Sequence, residues 1–159
     1  MFSRSDPKSR LDGLQDQLRR AQVVTPDLMA EVVAGACRRI GMPNCSAKAA
    51  QINRLIESEA WTEAAFALVE LELPLWKLCR LVYEECDWLC TLSKQWNLPV
   101  WLGDTVETRH ESLPLAILSA LIEAQQNGEP PARRAASSVP QCRVESSSVV
   151  ETMCCDNFA

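Results

Sequence analysis

The run Lys77-Leu78-Cys79-Arg80-Leu81-Val82-Tyr83-Glu84-Glu85-Cys86-Asp87-Trp88-Leu89-Cys90-Thr91-Leu92-Ser93 decides the fold, because it reads in two ways. Read as a hairpin with the four-residue loop Glu84 to Asp87, it pairs Tyr83 with Trp88, Leu81 with Cys90 and Cys79 with Leu92 on one apolar face. The other face then holds Val82 with Leu89, Arg80 with Thr91 and Leu78 with Ser93, a mixture suited to partial exposure. Aromatic and aliphatic cross-strand pairs stabilise such a half-buried sheet. Read as a helix, the same residues gather Lys77, Arg80, Glu84, Asp87 and Thr91 into one polar arc and leave a wide apolar face interrupted by Glu85. Trp, Tyr, Val and Thr favour strands, and Pro74 stops any preceding helix, so the hairpin is the expected structure. The alternative is an all-α chain with residues 75–94 helical. The turn lacks glycine, and Lys77 opposite Lys94 is an unfavourable pair. Glu85 discriminates between the readings: a loop leaves it solvated, whereas a helix points it into apolar surroundings.

On the N-terminal side the chain has helical spacing throughout. Leu11, Leu14, Leu18 and Ala21 recur at intervals of three and four after Ser5 and Pro7. Thr25-Pro26-Asp27 reads as N-cap, N1 and N2 of a helix whose apolar stripe runs from Leu28 to Ile40 and stops at Gly41 and Pro43. Ser46 is a candidate cap for the run through Ile52 and Ile56, and Thr62 for the run through Phe66 and Leu73. Trp61 reads as a packing anchor between those two helices. On the C-terminal side, Leu98 to Leu102 reads as an extended connector. Asp104 or Thr105 then caps a last helix through Val106, His110, Leu113, Ile117 and Leu121 to Gly128, kinked or split at Pro114. The expected fold is therefore α+β and mostly helical: about five helices packed with one two-stranded antiparallel hairpin, covered on its apolar face by the last helix.

The segments Leu71 to Tyr83, Trp88 to Ser93, Leu98 to Leu102 and Ala116 to Ala120 resemble a group of small proteins of soil alphaproteobacteria, over about residues 47–125. In that group the stretch matching Glu84 to Asp87 is similar to an acidic, glycine-containing turn, which favours the hairpin. Here Cys86 stands where the glycine is expected. The resemblance implies no activity.

The chain has 159 residues, of which 47% are apolar and 23% charged, enough for one self-sufficient core without metal or disulfide staples. That core is expected within residues 1–128. Residues 129–159, with Pro130-Pro131 and Ser146-Ser147-Ser148, offer too little apolar surface to offset ordering entropy and read as a disordered tail. The net charge of −5 is uneven: residues 61–128 carry four basic and ten acidic side chains, whereas residues 1–60 carry nine and seven. An acidic body is poorly suited to a phosphate backbone. Arg4, Asp6, Lys8, Arg10 and Asp12 leave no apolar signal-peptide core, so the expected location is the reducing cytoplasm, with the eight cysteines free and mostly buried. The longest uncharged stretch of the core, Ser112 to Ile122, has eleven residues, short of the roughly twenty that cross a bilayer.

Chemistry-bearing patterns are sparse. Glu107-x-x-His110 has the spacing of a carboxylate-bridged iron ligand pair, but a second such motif is needed and the chain has one histidine. No Cys-x-x-Cys occurs: Cys37 and Cys45, Cys86 and Cys90, and Cys154-Cys155 lack the spacing of a zinc site, and the alignment of Cys79, Cys86 and Cys90 on a helix is what core packing also produces. No metal, cofactor or catalytic residue is therefore assigned. The helices around residues 26–58 read as a possible helix-turn-helix, with Lys48, Gln51, Asn53 and Arg54 toward DNA and Arg38-Arg39 near phosphate. Five tryptophans crowd residues 61–101, and Trp96, Trp101 and Leu102 in the connector are the candidate binding residues for a protein partner. The leading expectation is a non-catalytic interaction or accessory protein using that surface and the exposed side of the hairpin. A DNA-binding regulator and a thiol- or metal-dependent enzyme are the alternatives.

Overall fold

A computed structural model describes residues 7–94 and 103–128 of the chain. The expected binding residues Trp96, Trp101 and Leu102 and the tail 129–159 lie outside the described residues. Within them run helices α1 (Pro7–Arg20), α2 (Pro26–Ala36), α3 (Ser46–Glu57) and α4 (Trp61–Glu72), strands β1 (Lys77–Glu84), β2 (Asp87–Ser93) and β3 (Thr105–His110), and helix α5 (Leu113–Gly128). Two short 3-10 turns, Arg39–Gly41 and Pro43–Cys45, join α2 to α3. The architecture is α+β and mostly helical, as the periodicity predicts, but the sheet has three strands where two were expected.

Residues 75–94 do not form a helix: β1 and β2 pair antiparallel, with Tyr83 opposite Trp88, Leu81 opposite Cys90 and Val82 opposite Leu89. The Tyr83 and Trp88 rings meet with centroids 5.2 Å apart and planes tilted by 53°. Two details correct the expected register. Glu84 and Asp87 pair with each other, so the loop is the two-residue turn Glu85-Cys86, both with positive φ (54° and 69°), as a tight hairpin turn matching the strand twist demands. Further along, the register shifts between Leu78 and Arg80. Cys79 is the extra residue of a bulge, Leu78 rather than Cys79 faces Leu92, and Lys77 meets Ser93 rather than Lys94. The bulge thereby removes the like-charge pair that counted against the hairpin. Glu85 is solvated, with its carboxylate 3.7 Å from Arg109.

The third strand overturns the reading of residues 104–112 as helix. Thr105 to His110 pairs antiparallel with β2, which makes β2 the central strand. Val106 and Thr108 are buried while Glu107 and Arg109 are exposed, the period-two pattern of a strand. Pro114 neither kinks nor splits a helix; it is the second residue of α5, in the first turn, where its missing N–H breaks no bond. The His110 Nδ1 accepts from the Ser112 N–H at 2.9 Å at the strand-to-helix corner.

Helix α5 is the centre of the molecule. Leu115, Ile117, Leu118, Leu121 and Ile122 are each at most 1% exposed, so the helix is apolar nearly all round and is packed by α1, α4, β2 and β3 together. The Thr108 hydroxyl donates to the Ala116 carbonyl at 2.8 Å and fixes strand to helix. Strand β1 has no such cover and keeps Leu78 and Tyr83 exposed. The Thr25 hydroxyl accepts from the Leu28 N–H at 3.2 Å, the expected cap of α2. Neither Ser46 nor Thr62 caps: they are the first residue of α3 and the second of α4, whose cap positions are Cys45 and Ala60, which make no side-chain cap bond. Helix α2 stops at Ala36, earlier than its stripe implies, because Arg38 to Ile40 turn away to meet α4.

Candidate functional site

That turn is held by Glu72, the last residue of α4. Its carboxylate accepts from three successive backbone N–H groups: Arg38 (3.0 Å), Arg39 (2.9 Å to Oε1 and 3.1 Å to Oε2) and Ile40 (3.0 Å). These are the donors that a helical turn leaves without partners at its start, and a carboxylate supplied from another helix satisfies them. One consequence is local: the Arg38 and Arg39 backbones are held while both side chains remain exposed. Among the described residues neither guanidinium joins an ion pair.

Beside this cap lies a groove of about 490 Å³. Its floor is apolar, formed by Leu11 of α1, Ala36 at the end of α2, Leu73 and Trp76 after α4, and Ala124 of α5. Leu75 and Met42 stand at its mouth, 73% and 46% exposed. Its charged lining is mostly cationic, Arg38, Arg39 and Lys94 against the one carboxylate of Glu72. The Lys94 ammonium lies 5.1 Å from the centroid of the Trp76 ring and 3.4 Å from the Asp104 carboxylate. The sequence explains the opening: Pro74 ends the helical hydrogen bonding at Leu73, the chain turns through Leu75, and Trp76 folds inward. Gln125 closes the far wall, donating from Nε2 to the Ala36 carbonyl at 2.8 Å.

The other sequence-marked groups do not meet there. Glu107 and His110 are three apart on a strand, which sends them to opposite faces, so the helical ligand geometry is absent. Among the described residues no group of three or more His, Cys, Asp or Glu gathers as a metal set. Burial pushes the Cys37 thiol up to about 12, with the Glu72 charge adding to the effect, and burial alone does the same for Cys90. Both are protonated near neutral pH, and a thiol is a poor nucleophile and metal ligand in that form. Cys79 sits in the bulge and Cys86 in the hairpin turn, both exposed and well separated along β1. Lys48, Gln51, Asn53 and Arg54 are all exposed on α3, but α3 packs on α4 and the 3-10 turns, and nine residues separate it from α2, against the three or four of a helix-turn-helix. Arg38 and Arg39 belong instead to the groove.

Sequence reasoning did not find this groove. Its residues are scattered from Leu11 to Gln125, and the visible signals, Arg38-Arg39 and the Leu73-Pro74-Leu75-Trp76 run, became a site only when Glu72 joined them. No helix among the described residues is long and apolar enough to cross a membrane. Comparison with protein-family models, with curated proteins and with solved structures finds no match to this chain.

Proposed function

We propose that the protein is a non-catalytic interaction module whose groove beside Glu72 receives an acidic peptide segment carrying a bulky apolar side chain. One observation carries the reading: an apolar trough with a rim of Arg38, Arg39 and Lys94, set in a chain whose net charge is −5. Carboxylates on the incoming segment meet exposed guanidinium groups that join no ion pair among the described residues, which favours bidentate contacts. An aromatic or branched side chain covers Leu75 and Met42, and burying such a group contributes about 1.5–3 kcal/mol before ordering costs.

Selection from a displayed random-peptide library against the full chain and against its Leu75→Asp variant tests the reading. Sequences combining Asp or Glu with Phe, Trp, Leu or Met should be enriched on the parent and lost on the variant. Enrichment that is equal on both chains, or that lacks acidic residues, contradicts it.

A further inference from the structure

The groove's chemistry matches a segment of this same chain. Residues 144–159, Val-Glu-Ser-Ser-Ser-Val-Val-Glu-Thr-Met-Cys-Cys-Asp-Asn-Phe-Ala, hold Glu145, Glu151 and Asp156, with no lysine or arginine, and offer Val149, Val150, Met153 and Phe158 as apolar anchors. The basic residues beyond the core, Arg133, Arg134 and Arg143, all precede that segment. The segment thus joins negative charge to bulky apolar groups, complementing a lining in which Arg38, Arg39 and Lys94 outnumber Glu72 around an apolar floor. Helix α5, which leads into this region, lines the groove with Ala124 and Gln125 in its last turns. The root of the segment is therefore beside its destination, and the fifteen residues 129–143 reach up to about 50 Å when extended.

We infer that residues 144–159 occupy the groove in cis, with Glu151 and Asp156 against Arg38, Arg39 and Lys94 and an apolar anchor over Leu75, so that an outside segment competes with the chain's own. The inference rests on the reading of the groove as an acidic-peptide site. A tether of this length gives an effective concentration of about 1 mM. A segment whose affinity as a separate peptide is about 0.1 mM then fills the groove about nine-tenths of the time and weakens a competing peptide about tenfold.

The test compares the full chain with its Glu151→Lys, Asp156→Lys double variant by amide and indole chemical shifts. A synthetic peptide of the parent residues 144–159 is also titrated into each. The double variant should shift the signals of Arg38, Arg39, Leu75 and the Trp76 indole and leave those of Glu85 and Cys86 in place. The added peptide should bind it about tenfold more tightly than it binds the parent. Groove signals that superimpose in the two chains, with the peptide binding both equally, overturn occupancy in cis and leave the groove reading standing. No peptide binding to either chain, with superimposed signals, overturns both. Unchanged signals at Glu85 and Cys86 in the double variant show that its fold is intact, so loss of folding does not confuse the result.

Discussion

At Glu85 and Cys86 the backbone has left-handed φ values of 54° and 69°, where an L side chain costs about 1–2 kcal/mol and glycine costs almost nothing. Cys86→Gly should therefore stabilise the protein by about 1 kcal/mol, raising the denaturant midpoint with the slope unchanged. A lower midpoint would show that the thiol contributes more than its strain removes. Among the described cysteines Cys79 and Cys86 are exposed, Cys37 and Cys90 are buried, and Cys45 is between. At pH 7.5, peptide-resolved alkylation should modify Cys79 and Cys86 rapidly and leave Cys37 and Cys90 untouched until the chain unfolds. Cys37 and Cys90 keep their protons in the folded state up to about pH 12, whereas in the unfolded chain they lose them near 8.5. Above about pH 8.5 the unfolded state thus binds fewer protons, so stability falls as pH rises, by at most about 1.4 kcal/mol per pH unit for each thiol. The Cys37→Ala, Cys90→Ala double variant should lose that slope, and an unchanged slope would contradict the assignment.

Strands β1 and β2 were legible as elements because the alternation of Leu81, Tyr83, Trp88 and Cys90 assigns each residue to a face, and a slip by one residue inverts every face. The bulge at Cys79 was not, since no local composition marks where an extra residue is inserted. Strand β3 was missed for a related reason: Val106, His110, Leu113 and Ile117 also fit a helical stripe, and only pairing with β2 separates the periods. The first turn of α5 was misplaced with it, although Pro114 is well suited to a helix start. The elements also carry unequal weight. In α5, Leu118 is fully buried, so Leu118→Ala should cost about 2–5 kcal/mol in chemical unfolding. On β1, Tyr83 is 56% exposed, so Tyr83→Ala should cost well under half as much. Equal costs would mean that the hairpin, and not α5, organises the core.

At the scale of the molecule, the acidic balance of residues 61–128 sets off the basic groove rim, which draws Arg38 and Arg39 from the chain after α2 and Lys94 from the chain after β2. No window of sequence contains this site, because helix α4 must end at Glu72 against the Arg38–Ile40 turn before the floor and rim adjoin. The Glu72 cap uses backbone N–H groups, so exchanging the arginine side chains removes none of its hydrogen bonds. That separation permits a charge swap between the Arg38→Glu, Arg39→Glu variant and a groove-binding peptide whose Asp and Glu residues are replaced by Lys. The affinity of the parent peptide should fall at least tenfold on the variant chain and be restored by the Lys-bearing peptide. Loss without restoration, or parent affinity that survives the reversal, would contradict the groove as the site of recognition.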